Sequence, residues 1–247
     1  MRTEVTFFNQ TSSDYLAEYD RGTPEGYSFR VRREKVFDVL EPGEGKRVLD
    51  LASGPGIMIK GLREHDYEVT CVDAAPDMIE LAKRVAGNDP HVTCEVGDAY
   101  GLRFDTGSFD TMIAMGLIEY LEDQARFLGE AARVVKSGGY MIITVPNVWS
   151  PWRMWNHALR LVRNAVRPSK ATGLLHREYT KRGFETLLRE HGFESEKTLY
   201  YNFKLIPYPL DRLLPRFTVA QSRIFEHLDK TPLKFLGTGF IVKARKL

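Results

Sequence analysis

The chain has 247 residues, 35 Lys+Arg against 33 Asp+Glu, 43% hydrophobic and 28% charged residues. That is the composition of an ordinary globular protein and excludes disordered, collagen-like and coiled-coil classes. Its apolar runs fall short of the roughly 18 residues a membrane-spanning helix needs, and two cysteines are too few for a disulfide framework. The start, Met1 to Phe8, lacks the apolar core of a secretory signal, so a cytoplasmic location is expected. The length suits one α/β domain carrying an extra lobe.

Residues 10–40 read as one or two helices carrying Tyr15, Tyr19 and Tyr27. Arg47 to Leu51 has a buried-strand pattern and runs into Ala52-Ser53-Gly54-Pro55-Gly56. Ile57 to Leu62 read as helix, Tyr67 to Val72 as strand, and Pro76 to Val85 as helix, with proline suited to its first turn. His91 to Val96 and Asp110 to Met115 are the next two strands. A helix from about Asp123 to Val135 places Phe127, Leu128, Ala131, Val134 and Val135 on one face, and Gly138-Gly139 is expected to close it. Tyr140 to Val145 is the fifth strand. Strand-helix alternation at this spacing implies βαβ crossovers and a parallel sheet covered on both faces.

Beyond Pro146 the pattern changes. Residues 147–178 hold all three tryptophans, Trp149, Trp152 and Trp155. From Ser150 to Arg182 there are eight Lys/Arg and one acid, Glu178, which leaves the rest of the chain mildly acidic. Thr180 to His191 reads as helix, with Phe184, Leu187 and Leu188 inward. Glu194 to Phe203 and Gly239 to Arg245 read as an antiparallel pair of strands. The insertion between them, 205–235, is longer than a hairpin loop and reads as functional or as an interaction element.

The turn after the first strand carries the chemistry. Glycines let backbone approach a ligand, and a helix N-terminus offers unpaired N–H groups to an anionic group. Asp73 ends the second strand, where an acid can accept both hydroxyls of a ribose, and Asp98 ends the third. With Asp50, these acids mark a nucleoside site at the carboxyl edge of the sheet. A dinucleotide fingerprint wants a third glycine where Ile59 stands, and Asp50 would repel phosphates. A nucleoside bearing an amino acid, with an ammonium to attract, suits Asp50 better.

Taken together, Val48 to Gly56, Val72-Asp73-Ala74-Ala75-Pro76-Asp77-Met78, Gly97-Asp98-Ala99, Phe109 to Ile113 and Arg133 to Gly139 resemble the class I S-adenosylmethionine-dependent methyltransferases. The likeness is to their small-molecule branch of quinone and lipid methylases, over roughly residues 10–205. It implies a seven-stranded, mostly parallel Rossmann-like sheet with helices on both faces, an antiparallel last strand and helical lids. The implied organisation is a single methyltransferase domain over 1–247. It comprises an N-terminal lid (10–40), a cofactor-binding core (45–147), a basic Trp-rich lid (148–178), and a C-terminal helix and strands (179–247).

By the same resemblance S-adenosylmethionine is the cofactor and S-adenosylhomocysteine the product. Cofactor contacts fall to Asp50, Ala52, Ser53, Gly54, Gly56, Asp73, Ala74, Met78, Asp98, Ala99, Met115 and Tyr15. The Gly54–Gly56 loop would lie against the methionine part, Asp73 on the ribose, Met78 and Asp98 on the adenine, and Met115 beside the sulfonium. Ala52 replaces the family's first loop glycine, a change expected to cost little. Tyr120 replaces a histidine often found after the fourth strand.

His176 is the candidate base, its alternative being a helix cap. Tyr19, Tyr120, Trp149, Trp152 and Tyr179 are candidate substrate contacts. Cys71 and Cys94 read as small apolar side chains. The basic tryptophan segment, 150–182, reads as a substrate lid, a lipid or membrane contact, or an oligomer interface. Leu210, Leu213, Leu214, Phe217 and Ile224 of the insertion are expected to help wall an apolar pocket. The expected reaction is methyl transfer to a small hydrophobic acceptor, oxygen before nitrogen, by a monomer or homodimer without a nucleic-acid partner or metal. An NAD(P)-dependent oxidoreductase and a non-catalytic S-adenosylmethionine-binding protein are the alternatives.

Overall fold

The first strand sets the architecture. In β1 (Arg47–Leu51) every residue after Arg47 is buried, as both faces must be when crossover helices cover a parallel sheet. A computed structural model describes residues 3–166 and 176–247. Among them seven strands form one sheet: β1, β2 (Glu68–Asp73), β3 (Val92–Val96), β4 (Phe109–Ala114), β5 (Val135–Pro146), β6 (Phe193–Tyr201) and β7 (Gly239–Lys246). Their order is β3-β2-β1-β4-β5-β7-β6. β7 alone runs antiparallel, between β5 and β6. The expected seven-stranded sheet with its antiparallel last strand is therefore what forms.

The helices are α1 (Thr3–Asp20), α2 (Pro24–Phe37), α3 (Ile59–Glu64), α4 (Pro76–Ala86), α5 (Gln124–Val134), α6 (Pro151–Val166), α7 (Lys181–Glu190), α8 (Leu210–Leu213) and α9 (Pro215–Phe225). Their starts follow side-chain chemistry. The Thr23, Asp123 and Thr180 side chains accept from Gly26 N, Arg126 N and Gly183 N, each satisfying an N–H with no partner inside the helix. The apolar faces of α5 and α7 then bury Phe127, Leu128, Ala131, Val134, Phe184 and Leu188 against the sheet. The chain leaves β1 for β2 on one side and returns as β4 on the other, so a crevice opens at the carboxyl ends of these strands.

Three expectations need correction. Gly138-Gly139 do not close a helix: α5 stops at Val134, and both glycines lie within β5. The glycine is required by the neighbouring strand, because a Cβ on Gly139 would stand 2.7 Å from the Asp110 carbonyl oxygen. The N-terminal helix begins at Thr3, well before residue 10. Leu210, Leu213, Leu214, Phe217 and Ile224 wall no pocket; all five are exposed. Arg167 and Lys170 of the basic segment lie outside the described residues. No helix among the described residues is long and apolar enough to cross a membrane.

Candidate active site

At the crevice, the turn after β1 is held by β2. Ser53 N donates to Val72 O (3.1 Å), and Gly54 N donates to Asp73 Oδ2 (2.9 Å). Ala75 N donates to Asp73 Oδ1 (2.8 Å), and Gly97 N to the Asp73 carbonyl (3.0 Å). Asp73 is thus fixed by the loop on one oxygen and by the start of α4 on the other. A carboxylate offers about four acceptor positions, so both oxygens keep capacity for a vicinal diol. Burial raises the Asp73 pKa, and the N–H groups of Ala75, Gly54 and Ala74 oppose the rise.

Ala52 and Gly54 have φ of +57° and +53°. For alanine this left-handed conformation costs roughly 1–2 kcal/mol, so the replacement of glycine at this position is not free. Gly56 has φ +82°, and a Cβ there would meet Ile59 Cδ1 at 2.6 Å. The large side chain at the site of a dinucleotide fingerprint's third glycine therefore leans on the loop itself.

The pocket above this turn has a cavity volume of about 90 Å³. One end is walled by Ala74, Ala75, Met78, Gly97, Asp98, Ala99 and Leu121, a flat, mostly apolar slot with one carboxylate. Asp98 Oδ1 accepts from Tyr100 N at 3.0 Å. Helix α1 lies across the opening with Glu4, Val5, Phe8 and Tyr15, pinned at Asn9 Oδ1, which accepts from Asp77 N at 3.2 Å.

The other end, at Ala52, Met115 and Gly116, is backed by buried groups lacking hydrogen-bond partners. Asp50 Oδ2 and Ser53 Oγ are two of them. Burial pushes the Asp50 pKa up to about 7, with Asp73 and Cys94 adding to the rise. Arg32 of α2 is the third. Its side chain is 9% exposed, its guanidinium carbon lies 5.2 Å from the Phe29 ring centre, and Nε and Nη2 make no hydrogen bond. A Cβ on Gly116 would lie 2.9 Å from Arg32 Nη1, so only the absence of a side chain at Gly116 leaves room for the guanidinium. Tyr19, Tyr15, Tyr201 and Glu119 supply its electrostatic surroundings. Those groups outweigh burial and hold its pKa above the ordinary value, while Nε and Nη2 keep donor capacity for an anion.

The donor set fits S-adenosylmethionine on these observations. Asp73 offers a diol acceptor beside an apolar slot with a carboxylate, and Asp50 and Arg32 supply a buried acid and a buried cation near Ala52 and Gly116.

Of the residues singled out from sequence, Ala52, Gly54, Asp73, Ala74, Met78, Asp98, Ala99, Met115, Tyr15 and Tyr120 line the pocket. Asp50, Ser53 and Gly56 stand just behind it. The others lie elsewhere. Tyr19 packs on Phe29 with ring centres 5.1 Å apart. His176 meets the edge of Tyr120, 5.7 Å between centres, and does not line the pocket, and burial with the Arg153 charge lowers its pKa. Tyr179 packs on Phe184, its hydroxyl buried without a partner and its pKa pushed up to about 12 by burial. Trp152 Nε1 donates to Asp211 Oδ2 (3.0 Å) beneath the Lys204 ammonium, and Trp149 is exposed. Cys71 and Cys94 are register partners on β2 and β3.

The sequence missed Glu4, Val5, Phe8 and Arg32. The first three sit on an amphipathic start to α1 that Val5 and Phe8 announce. Nothing in the local pattern separates Arg32 from Arg30 and Arg33.

Residues 49–143 match the family described as "Methyltransferase domain". The chain is 36% identical over 116 residues to the 2-methyl-6-phytyl-1,4-hydroquinone methyltransferase 1 of Oryza sativa subsp. japonica, covering 44% of this chain and 34% of that protein. It is 32% identical over 149 residues to the mitochondrial ubiquinone biosynthesis O-methyltransferase of Schizosaccharomyces pombe, covering 57% and 54%. The chain thus spans about a third to a half of the length of these curated relatives. A crystal structure of an S-adenosylmethionine-dependent methyltransferase from Mesorhizobium loti superposes with a TM-score of 0.62 at 21% identity, covering 86% of this chain and 96% of that one. Residues 49–143 thus match a methyltransferase domain, and the sheet that carries them shares the fold of a solved S-adenosylmethionine-dependent methyltransferase.

Proposed function

We propose that the chain transfers a methyl group from S-adenosylmethionine to a small hydrophobic acceptor, at oxygen in preference to nitrogen. The observation that carries the reading is the presence, near the pocket wall at Ala52 and Gly116, of a buried cation and a buried acid, Arg32 and Asp50, whose Nε, Nη2 and Oδ2 make no hydrogen bond. The two groups are complementary to the carboxylate and ammonium of an amino acid. In this reading Asp73 binds the ribose hydroxyls, Met78 and Ala99 flank the adenine, and Asp98 accepts from its amino group. Arg32 receives the carboxylate, and Asp50 with Ser53 and the Ala52–Gly56 loop hold the ammonium end.

When bound, S-adenosylmethionine supplies an electrophilic methyl, so the chain's task is alignment and exclusion of water. Phe8 and Tyr15 of α1 cover the pocket, and Met115 with Gly116 forms the wall where donor and acceptor would meet. Tyr120 borders the same space. Burial, with Glu119 and Tyr15 nearby, raises its pKa, so its phenol stays protonated and can donate to an acceptor oxygen. His176, whose ring meets the edge of Tyr120 at 5.7 Å between centres, is proposed to position Tyr120 against the acceptor. Hydroquinone-type relatives and the aromatic lining of Phe8, Tyr15 and Tyr120 favour an aromatic or prenylated hydroxyl acceptor. The basic tryptophan segment supports peripheral contact with lipid.

Separate titrations with S-adenosylmethionine and NAD+ test this reading. Binding of the first alone is expected; binding of NAD+ alone would replace it with the oxidoreductase alternative. Once an acceptor is in hand, His176→Ala should lower kcat at least tenfold and leave cofactor affinity unchanged. An unaltered rate would remove His176 from the reaction.

A further inference from the structure

Helix α9 packs Val219 and Phe225 on the core but leaves other apolar side chains in water. Its buried positions are Thr218 and Ser222, at 0% and 1% exposure, while Phe217 and Ile224 stand 63% and 67% exposed. Leu213 and Leu214, just before it, are also exposed. A helix seeking only a core would bury these side chains as well. The same surface continues onto α6, where Met154, Trp155, Leu161 and Val162 are exposed. The two regions are fastened together, because Trp155 Nε1 donates to Tyr208 O (2.9 Å) and Trp152 Nε1 to Asp211.

The charges on this surface are mostly positive, with Glu25 of α2 an exposed acid beside Arg160, Arg163 and Arg212 among the described residues. Among the described side chains α6 has no acid, and the one acid of α8 and α9, Asp211, is buried in an ion pair with Lys204 at 2.7 Å. Arg160, Arg163, Arg212, Arg216 and Arg223 are exposed around the apolar side chains. Soluble proteins rarely leave so large an apolar patch uncovered. An apolar face with tryptophan, ringed mostly by arginine, is complementary to the boundary of an anionic bilayer.

We infer that α6, α8 and α9 form a docking face for an anionic lipid surface, on which Leu213, Phe217 and Ile224 enter the headgroup–acyl boundary. This goes beyond methyl transfer and stands without it. A further consequence does rest on that reading. A groove between α1 and the start of α9, lined by Phe7, Phe8, Phe29, Arg212 and Pro215, reaches Tyr15 and Tyr120 at the edge of the pocket. A membrane-dissolved acceptor would have a covered path from the lipid face to the site.

The test is co-sedimentation of the full chain with phosphatidylcholine vesicles, with and without phosphatidylglycerol, alongside light scattering without lipid. Binding is expected to the phosphatidylglycerol vesicles at least tenfold above phosphatidylcholine alone, to fall in high salt, and to fall at least tenfold in Leu213→Glu/Phe217→Glu. That variant should keep its melting temperature and its affinity for S-adenosylhomocysteine, since neither residue touches the pocket. Equal binding by the variant, or binding to neither vesicle, overturns the proposal. A concentration-dependent dimer that the same two substitutions abolish overturns it in favour of a second copy of the chain. Failure to bind S-adenosylhomocysteine with lipid binding intact would instead count against the methyltransferase reading alone.

Discussion

The two ends of the molecule break opposite rules of folding. At the carboxyl edge of β1, β2 and β4 the chain buries polar groups without partners, among them Arg32, Asp50 and Ser53. On α8 and α9 it exposes Leu213, Phe217 and Ile224. The first costs the isolated protein stability through desolvated polar groups, whereas the second leaves in water apolar surface that folding does not bury. Each becomes favourable once the missing partner is supplied: a charged small molecule in one case, an apolar phase in the other. Departures from local consistency of this kind mark where function resides.

If that contrast is right, changes at the pocket should trade affinity against stability, while changes on the outer face should leave both alone. Asp73→Ala should have the largest effect. It removes the ribose acceptor and the anchor of Gly54 N and Ala75 N, and should cost about 3 kcal/mol of S-adenosylhomocysteine binding, measured by calorimetry. 5′-Methylthioadenosine, which keeps the ribose, should weaken by a similar factor.

Arg32→Met should cost about 2 kcal/mol for S-adenosylhomocysteine and almost nothing for 5′-methylthioadenosine, which has no carboxylate. Because the substitution removes buried donors that make no hydrogen bond, the unliganded protein should melt no lower than the parent. A large fall in melting temperature would show that Arg32 supports the fold rather than the ligand.

Asp50→Asn tests the same trade through pH. With a folded pKa of about 7 against an unfolded value of about 3.9, the native state holds its proton more tightly than the unfolded chain. The resulting stability is fully present below about pH 4, is lost as pH rises, and is gone above about pH 7. Asp50→Asn should therefore melt higher than the parent at pH 8 and close to it at pH 4, while binding S-adenosylhomocysteine more weakly at pH 8. A constant difference across that range would contradict the shifted pKa.

Ala52→Gly should give the smallest effect, about 1 kcal/mol of stabilisation from relief of the left-handed φ, read by denaturant unfolding. A loss of stability would mean that the Ala52 methyl packs productively.

The sheet and most of its helices are legible because their signals are local. β1 to β4 read as apolar runs, and α5 and α7 as stripes on one face. The carboxylates and glycines of the pocket are legible for a related reason: they fall at strand ends, where topology alone brings them together. Arg32 is not, because its role depends on which face of α2 meets Gly116, a fact set by tertiary packing. Gly139 was misread because a helix stop and a close strand contact both demand glycine. The outward-facing side chains of α9 were misread because apolar residues suggest burial until Thr218 and Ser222 are seen to occupy the inner face.

The central claim is that the pocket grips an adenosyl amino acid by both ends. Calorimetric titration of the parent protein with S-adenosylhomocysteine and with 5′-methylthioadenosine tests it most directly. The account predicts that the full amino-acid ligand binds at least tenfold more tightly, with the preference abolished in Arg32→Met. Equal affinities for the two ligands, or an undiminished preference in the variant, would contradict it.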